Sequence, residues 1–224
     1  MTPANGAGES LDAVASACAF LAHLLLRPDA AASASAMDHA LIEAWPLERD
    51  ADTAAGLAAL RAAALNPATA EALHADFAAL FVGPGPMLAC PWESVQRGEE
   101  RLTFDRQTFE VRRAYAAFGR QAPALNREPD DHIGLELAFV GELAAAALAA
   151  LERGEDAEAR RLAAGASDFW RDHLMPWAPG FARHVAAGAR TPLYRAAGLL
   201  LAGGLPQLGP LLGAPEGALT RPSE

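Results

Sequence analysis

The sequence contains no lysine, so all 18 of its basic residues are arginine, and 28 acidic residues outnumber them. The resulting formal charge of −10 argues against a nucleic-acid-binding protein, because such proteins need a basic surface to neutralise phosphates. No stripe of arginines along one segment offsets that charge. We therefore expect no nucleic-acid partner.

The sequence is also poor in cysteine. Cys18 and Cys90 are far apart and have neither metal-ligand nor redox-motif spacing, so they are expected to be buried or incidental thiols in a reducing compartment. No basic residue precedes Arg27, so the apolar N-terminal run lacks the basic segment of a signal peptide, and it is too short for a membrane span. We expect a soluble cytoplasmic protein without stable membrane insertion.

The β-branched residues Val, Ile and Thr are sparse, whereas alanine and leucine are abundant and the hydrophobic content is 52%. Helical periodicity recurs along the chain and strand-like alternation is absent, which predicts an all-α fold. Asn66, followed by Pro67, is the expected N-cap of one helix. The other predicted helices cover 11–26, 35–45, 51–64, about 105–118, 131–151, 157–174, 179–187 and 192–202.

Two irregular connections rich in proline and glycine interrupt this pattern, at 82–95 and 119–129. We expect a single helical domain in two halves. The N-terminal half, 1–118, includes the first connection, the hinge is 119–129, and the C-terminal half is 130–204, followed by a flexible tail at 205–224. A hinge between halves permits either a monomer or a domain-swapped dimer.

One candidate functional stretch is "NREPDDHIGLEL", at 126–137, which crowds acidic residues and a histidine before an apolar run. Pro129 favours a helix start, and Asp130 or Asp131 is expected beside the first amides of that helix, where a carboxylate is stabilised. This capping role accounts for one acid. It leaves Glu128 and His132 unexplained.

Catalytic and metal-dependent functions have little support in the sequence. A di-iron bundle needs two Glu-x-x-His motifs, and only Glu71 and His74 supply one. There is neither a nucleophile elbow nor a phosphate-binding loop. We expect no enzyme, no metal and no cofactor; a metal- or nucleotide-dependent helical enzyme using His132 and Glu136 is the alternative.

A second candidate stretch is "CPWESV", at 90–95. Trp92 in this proline-containing loop is either a hydrophobic lid on the core or a binding platform with Glu93 beside it. A related pattern of aromatic residues and proline occurs in "FWRDHLMPW", at 169–177, where the aromatic side chains are expected to be part of the core.

Taken together, "LFVGPGPMLACPWESV", "LTFDRQTFEVRRAYAAFG", "EPDDHIGLEL" and "FWRDHLMPW" resemble the TorD/DmsD family of redox-enzyme maturation chaperones, over about 11–202. The resemblance implies an all-helical, non-enzymatic protein of the cytoplasm. Its partners would be the twin-arginine signal peptide, and often the body, of a molybdopterin oxidoreductase of the dimethyl sulfoxide or trimethylamine N-oxide reductase type. It would hold that client until the cofactor is inserted.

The residues carried over from the family form two motifs. The loop motif consists of Pro91, Trp92 and Ser94, and the hinge motif consists of Glu128, Pro129, Asp131 and His132. Gln96 departs from the aromatic residue that the family often has after "SV". A peptide with two guanidinium groups and a short apolar run needs carboxylates beside an apolar surface. The expected acids are Glu93, Glu128, Asp130 and Asp131, and the expected apolar wall is Trp92, Phe139 and Val140.

Overall fold

The computed structural model describes residues 3–26 and 36–213, and within these ranges the chain forms helices and no β-strand. The α-helices are α1 (Pro3–Leu26), α2 (His39–Glu43), α3 (Ala51–Leu65), α4 (Ala70–Phe77), α5 (Glu93–Arg97), α6 (Arg106–Ala117), α7 (Ile133–Glu152), α8 (Asp156–Phe169), α9 (Ala178–Gly188) and α10 (Pro192–Leu211). Two π-helical segments, Ala78–Val82 and Trp170–Leu174, extend α4 and α8. The predicted all-α class is confirmed.

The core is built from two groups of packed helices. In one, α7 packs against α1 and α8; in the other, α10 packs against α3 and α9, and α1 also contacts α10. A single hydrophobic cluster extends through both groups, from Leu11 to Leu212. Helices from the two predicted halves thus pack directly against each other, and the hinge at 119–129 stays a prediction.

Two glycines allow α1 and α7 to approach closely. A Cβ atom at Gly134 would lie 2.5 Å from Leu26 Cγ, and one at Gly141 would lie 3.0 Å from Cys18 Cβ. By length and composition alone, 6–26 and α7 are apolar enough to cross a membrane, and 61% of the apolar window of α7 is buried inside the protein. A buried core helix of this composition passes the same test, so the two helices are weak evidence for a span.

The structure corrects one predicted helix start. Thr69, not Asn66, is the N-cap of α4, and its side chain accepts a hydrogen bond from the Ala72 N–H at 3.2 Å. Asn66 instead ends α3 with a backbone outside the α region (φ −139°, ψ 77°), and a residue that precedes a proline is disfavoured in that region. The cap of α2 is Asp38, and the predicted helix start at 35 lies outside the described residues.

The last helix continues beyond its predicted end at 202. α10 extends through Pro206 and Pro210 to Leu211, so the first part of the predicted tail is helical, while 214–224 lie outside the described residues. The Trp170 indole N–H donates to the Leu205 carbonyl at 2.8 Å, and its ring lies where a Cβ on Gly209 would be. Burial of this turn against Trp170 outweighs the helix-breaking tendency of the prolines.

Candidate functional site

The loop motif and the hinge motif meet through their backbones. Trp92 and His132 form an isolated antiparallel bridge, in which the Glu93 N–H donates to the Asp131 carbonyl at 3.0 Å and the Ile133 N–H donates to the Pro91 carbonyl at 2.8 Å. The Trp92 and His132 rings are partly exposed and form an edge-to-face pair with centroids 5.9 Å apart. The two motifs therefore present a single surface.

Beneath this surface, the Asp131 carboxylate is fully buried. It accepts hydrogen bonds from the Ser94 N–H at 2.6 Å and from the Thr108 hydroxyl at 2.7 Å. Because Ser94 is in the first turn of α5, Asp131 acts as a cap of that short helix. Asp131 thus joins the start of α5 to α6.

The prediction that Asp130 or Asp131 caps the start of α7 is therefore wrong. His132 is the N-cap of α7, and its Nδ1 accepts from the Gly134 N–H at 3.1 Å. Burial lowers the pKa of His132 to about 4, with the Asp131 charge opposing the shift. The imidazole is accordingly neutral at pH 7, and its proton is on Nε2 because Nδ1 is the acceptor.

Asp130 is also fully buried and is paired with Arg112 of α6 through Arg112 Nε. The same guanidinium donates from Nη1 to Asn126 Oδ1 at 3.0 Å, and the Tyr115 hydroxyl donates to the Asp130 carbonyl at 3.2 Å. These contacts attach the end of the predicted hinge to one face of α6.

Glu93 forms a third buried acidic site, with no exposed surface. One carboxylate oxygen pairs with Arg97 Nη1, and the other lies 3.0 Å from His173 Nδ1. Arg97 Nη1 also donates to the Asp172 carbonyl at 3.0 Å. The loop motif is therefore connected to the π-helical segment Trp170–Leu174, which carries both Asp172 and His173.

Glu136, on the first turn of α7, is a buried acid of a different kind. Neither of its oxygens has a hydrogen-bond partner in the described part of the chain. Burial, together with the nearby carboxylates of Glu93 and Asp131, raises the pKa of Glu136 well above its usual value. The raised pKa favours the protonated carboxyl, which avoids an uncompensated charge in the core.

The geometry does not favour the alternative in which His132 and Glu136 bind a metal. His132 Nδ1 is already used in the cap of α7. Across 3–26 and 36–213, no three His, Cys, Asp or Glu side chains are grouped closely enough to hold an ion. The raised pKa of Glu136 also disfavours metal binding, because a carboxyl group must lose its proton to act as a ligand.

The predicted site residues differ widely in exposure. Glu128 is exposed and Trp92 and His132 are partly exposed, whereas the remaining members are buried: Pro91, Glu93, Ser94, Pro129 and Asp131. The departing residue Gln96 is exposed, and its amide donates to the Cys90 carbonyl at 2.9 Å. Most of the acids that were expected to face a peptide thus point inwards in this conformation.

Two of the side chains that were expected to form the apolar wall are not at the surface. Phe139 and Val140 are core residues, 4% and 0% exposed. Large apolar side chains are instead exposed on the segment after α5 and on α6: Leu102 at 56%, Phe104 at 39% and Phe109 at 47%. The Arg112 guanidinium lies 5.5 Å from the centre of the Phe109 ring, so this exposed ring adjoins the Asp130 pair.

Three residues of the site were missed from the sequence: Arg97, Thr108 and Arg112. The Arg97 pair could have been predicted, because Glu93 and Arg97 have the i, i+4 spacing of a helical ion pair. Thr108 and Arg112 gave no comparable signal, since their partners are 23 and 18 residues away.

Known proteins are similar in sequence to this chain over long stretches. A family model described as the nitrate reductase delta subunit matches residues 47–183, more than half of the chain. The Tat proofreading chaperone DmsD of Salmonella typhi is 34% identical over 156 residues, which are 70% of this chain and 67% of that protein. This chain belongs to the TorD/DmsD family. The chaperone protein TorD of Vibrio parahaemolyticus is 32% identical over 110 residues, 49% of this chain and 50% of that relative.

A third relative of this TorD/DmsD chain is the selenate reductase assembly chaperone protein of Thauera selenatis. It is 36% identical over 125 residues, 55% of this chain and 63% of the relative. Membership of the TorD/DmsD family confirms the resemblance and the non-enzymatic chaperone class, because the similar proteins are named as chaperones. The matches span about half to two thirds of these relatives' lengths.

Proposed function

We propose that this TorD/DmsD protein is a cytoplasmic chaperone for a molybdopterin oxidoreductase of the dimethyl sulfoxide or trimethylamine N-oxide reductase type. It binds the client's twin-arginine signal peptide, the apo form of the client, or both, during cofactor insertion and before export. One relative is named as a Tat proofreading chaperone and another as a selenate reductase assembly chaperone, which supports this class of client.

The observation that carries the proposal is the backbone bridge between Trp92 and His132. It fixes the two motifs as one surface, with two partly exposed rings and the exposed Glu128 a few residues before the bridge. Aromatic side chains contribute large contact area, and a carboxylate can bind a guanidinium through two parallel hydrogen bonds. Such a surface suits a peptide with arginines beside an apolar run.

Two further features support a cationic, partly apolar ligand. The formal charge of −10 accelerates the encounter with a positively charged peptide. The exposed Phe109 ring contacts Arg112, and it offers an apolar surface for the segment that follows the arginines in the peptide; Leu102 and Phe104, shortly before it in the chain, are exposed as well.

The proposal is tested by calorimetric titration with a synthetic signal peptide and with the same peptide carrying lysines in place of the two arginines. Tighter binding of the arginine peptide is expected, because lysine cannot make the bidentate contact. Trp92→Ala should weaken binding about 10-fold or more, as is typical of a buried aromatic anchor. Absence of binding, or equal affinity for both peptides, contradicts the proposal.

Glu128→Gln tests the exposed acid of the hinge motif in the same assay. We expect a loss of a few-fold that shrinks as salt is added, since an exposed ion pair is worth at most about 1 kcal/mol and is screened. Glu152→Gln is the matched control, because Glu152 is an exposed acid at the opposite end of α7. An equal effect of the two substitutions would show that only net charge matters.

We also propose that the protein is a monomer that can form a domain-swapped dimer through the 119–129 hinge. α1 packs on α7 across that hinge, so exchange between two copies rebuilds the same contacts. Light scattering over a concentration series should show slowly exchanging monomer and dimer, because the core must open for interconversion. A single species at all concentrations contradicts the exchange.

A further inference from the structure

Two buried carboxylates next to the motif residues are each held by an arginine of this chain. Glu93 pairs with Arg97 and Asp130 pairs with Arg112. Both acids have no exposed side-chain surface, whereas 33% of the Arg97 side chain and 28% of the Arg112 side chain are exposed. The arginine side chains thus reach solvent, whereas the carboxylates that they pair with do not.

The two ion pairs are attached to adjoining stretches of backbone. The Glu93 N–H donates to the carbonyl of Asp131, the residue that follows Asp130. Together the pairs contain two guanidinium groups, the number that a twin-arginine peptide brings.

Neither pair uses the full bonding capacity of a guanidinium. Arg97 reaches Glu93 through Nη1 alone, and the second oxygen of Glu93 faces His173. Arg112 reaches one oxygen of Asp130 through Nε, while Asp130 Oδ1 and Arg112 Nη2 are buried without a hydrogen-bond partner in the described ranges. Guanidinium and carboxylate bind best through two parallel hydrogen bonds, so each pair is weaker than it could be.

We propose that Arg97 and Arg112 occupy, in the free chaperone, the carboxylates to which the client's two arginines bind, and that the client displaces them. This inference rests on the proposed function and adds its mechanism. Exchange of one guanidinium for another never leaves a buried carboxylate unpaired, which would be costly. The displaced arginines are already partly exposed and move into solvent.

The exchange has a consequence for affinity and specificity. Each internal arginine competes with the peptide, so the observed affinity is lower than that of the vacated site. A client guanidinium can form the two parallel hydrogen bonds that neither internal arginine forms, whereas a lysine ammonium cannot. The chaperone therefore releases a client more readily than an open acidic groove would.

Arg97→Gln tests the exchange at Glu93, with His173 left as the partner of that carboxylate. In calorimetric titrations we expect this variant to bind the twin-arginine peptide roughly 5-fold more tightly or better, at the low end of typical coupling between two ligands. The twin-lysine peptide should gain less. Arg106→Gln is the matched control, because Arg106 forms an exposed i, i+4 pair with Glu110, and its affinity should equal that of the wild type.

A measurement on the wild-type protein complements this variant and requires no substitution at Asp130. Phenylglyoxal modification of each arginine is followed by mass spectrometry with and without the peptide. Displacement predicts faster modification of Arg97 and Arg112 when the peptide is bound, and an unchanged rate at Arg106. A peptide that merely covers the site would slow modification of Arg97 and Arg112.

The two hypotheses fail differently. If the folded wild type does not bind the twin-arginine peptide, the proposed function itself is wrong. If the wild type binds but Arg97→Gln gains nothing over Arg106→Gln, and Arg97 is not modified faster, the site stands and the exchange is overturned.

Discussion

Ser94 and Asp131 lie 37 residues apart in the chain, yet the Ser94 N–H donates to Asp131 Oδ2 at 2.6 Å. The second oxygen of the same carboxylate accepts from the Thr108 hydroxyl at 2.7 Å. A residue that the sequence suggested for peptide contact is thus the buried support on which the loop motif rests. Substitutions at Asp131 consequently report on the fold as well as on binding.

Asp131→Ala should lower the free energy of unfolding by about 2–4 kcal/mol, because the substitution leaves two buried donors without an acceptor. Asp131→Asn keeps one acceptor oxygen and should cost less. Urea titration followed by circular dichroism measures both values. The control is Asp156→Ala, at an exposed position in the first turn of α8. Equal free energies of unfolding for Asp131→Ala and this control would contradict the capping role.

The lowered pKa of His132 predicts that the folded protein loses stability in acid. Its folded-state pKa, about 4, lies below the usual 6.5, so the unfolded chain binds the proton more tightly. The contribution is fully present above pH 6.5 and is lost as the pH falls towards 4; it amounts to at most about 3 kcal/mol. His132→Asn keeps a capping side chain but cannot titrate.

The unfolding free energy of the wild type should therefore fall more steeply than that of His132→Asn between pH 6.5 and pH 4. Other acidic groups titrate in both proteins and cancel in the difference. Parallel curves for the two proteins over this range would show that His132 is not held neutral by burial.

The raised pKa of Glu136 predicts the opposite dependence of stability on pH. Its pKa is raised, so the folded protein retains a proton that the unfolded chain releases above pH 4.5. The contribution is fully present below that pH, and stability declines as the pH rises towards the folded-state pKa, by up to about 1.4 kcal/mol per pH unit. Glu136→Gln removes this decline.

Urea unfolding of the wild type and Glu136→Gln at several pH values from 4 to 8 tests this prediction. The difference in unfolding free energy should change in favour of the glutamine variant as the pH rises. A difference that is constant with pH would mean that Glu136 has an ordinary pKa in the folded state.

The hydrogen bonds of Asp76, outside the two motifs, predict a large loss of stability when this residue is replaced. Its buried carboxylate accepts from the Arg190 N–H at 3.0 Å, the Thr191 N–H at 2.7 Å and the Thr191 hydroxyl at 2.6 Å, and so joins α4 to the start of α10. Asp76→Ala should cost about 2–4 kcal/mol. Asp52→Ala, an exposed acid in the first turn of α3, is the control; equal unfolding free energies for the two variants would refute the role of Asp76.

Much of the helical organisation could be predicted from local patterns. The α6 cap Asp105 and the stop at Gly119, which has φ +68°, follow from residue preferences that act over a single turn. The prediction of Asn66 as a cap was wrong because residue preferences rank asparagine above threonine, yet Thr69 takes this role three residues later. Continuation of α10 past Pro206 was unpredictable, because Trp170 provides the compensating packing from another helix.

The site itself was only partly predictable. The two motifs were recognised as a combination, and the sequence contains the acids and aromatic residues that such a surface needs. The direction in which each acid points was not predictable, because Glu93, Asp130 and Asp131 take their partners from other segments. Arg112 and His173 become partners only when α6 and the π-helical segment are placed beside the motifs.

The all-α class, the family resemblance and most of the two irregular connections were predictable from the amino-acid sequence, because propensity, periodicity and motif spacing are read along the chain; the connection predicted at 82–95 is shorter, since α5 already begins at Glu93. Tertiary contacts, by contrast, leave Glu128 exposed and Trp92 and His132 partly exposed while they bury Glu93 and Asp131. The reason is energetic: a buried carboxylate needs donors, and the fold supplies them from residues distant in the chain.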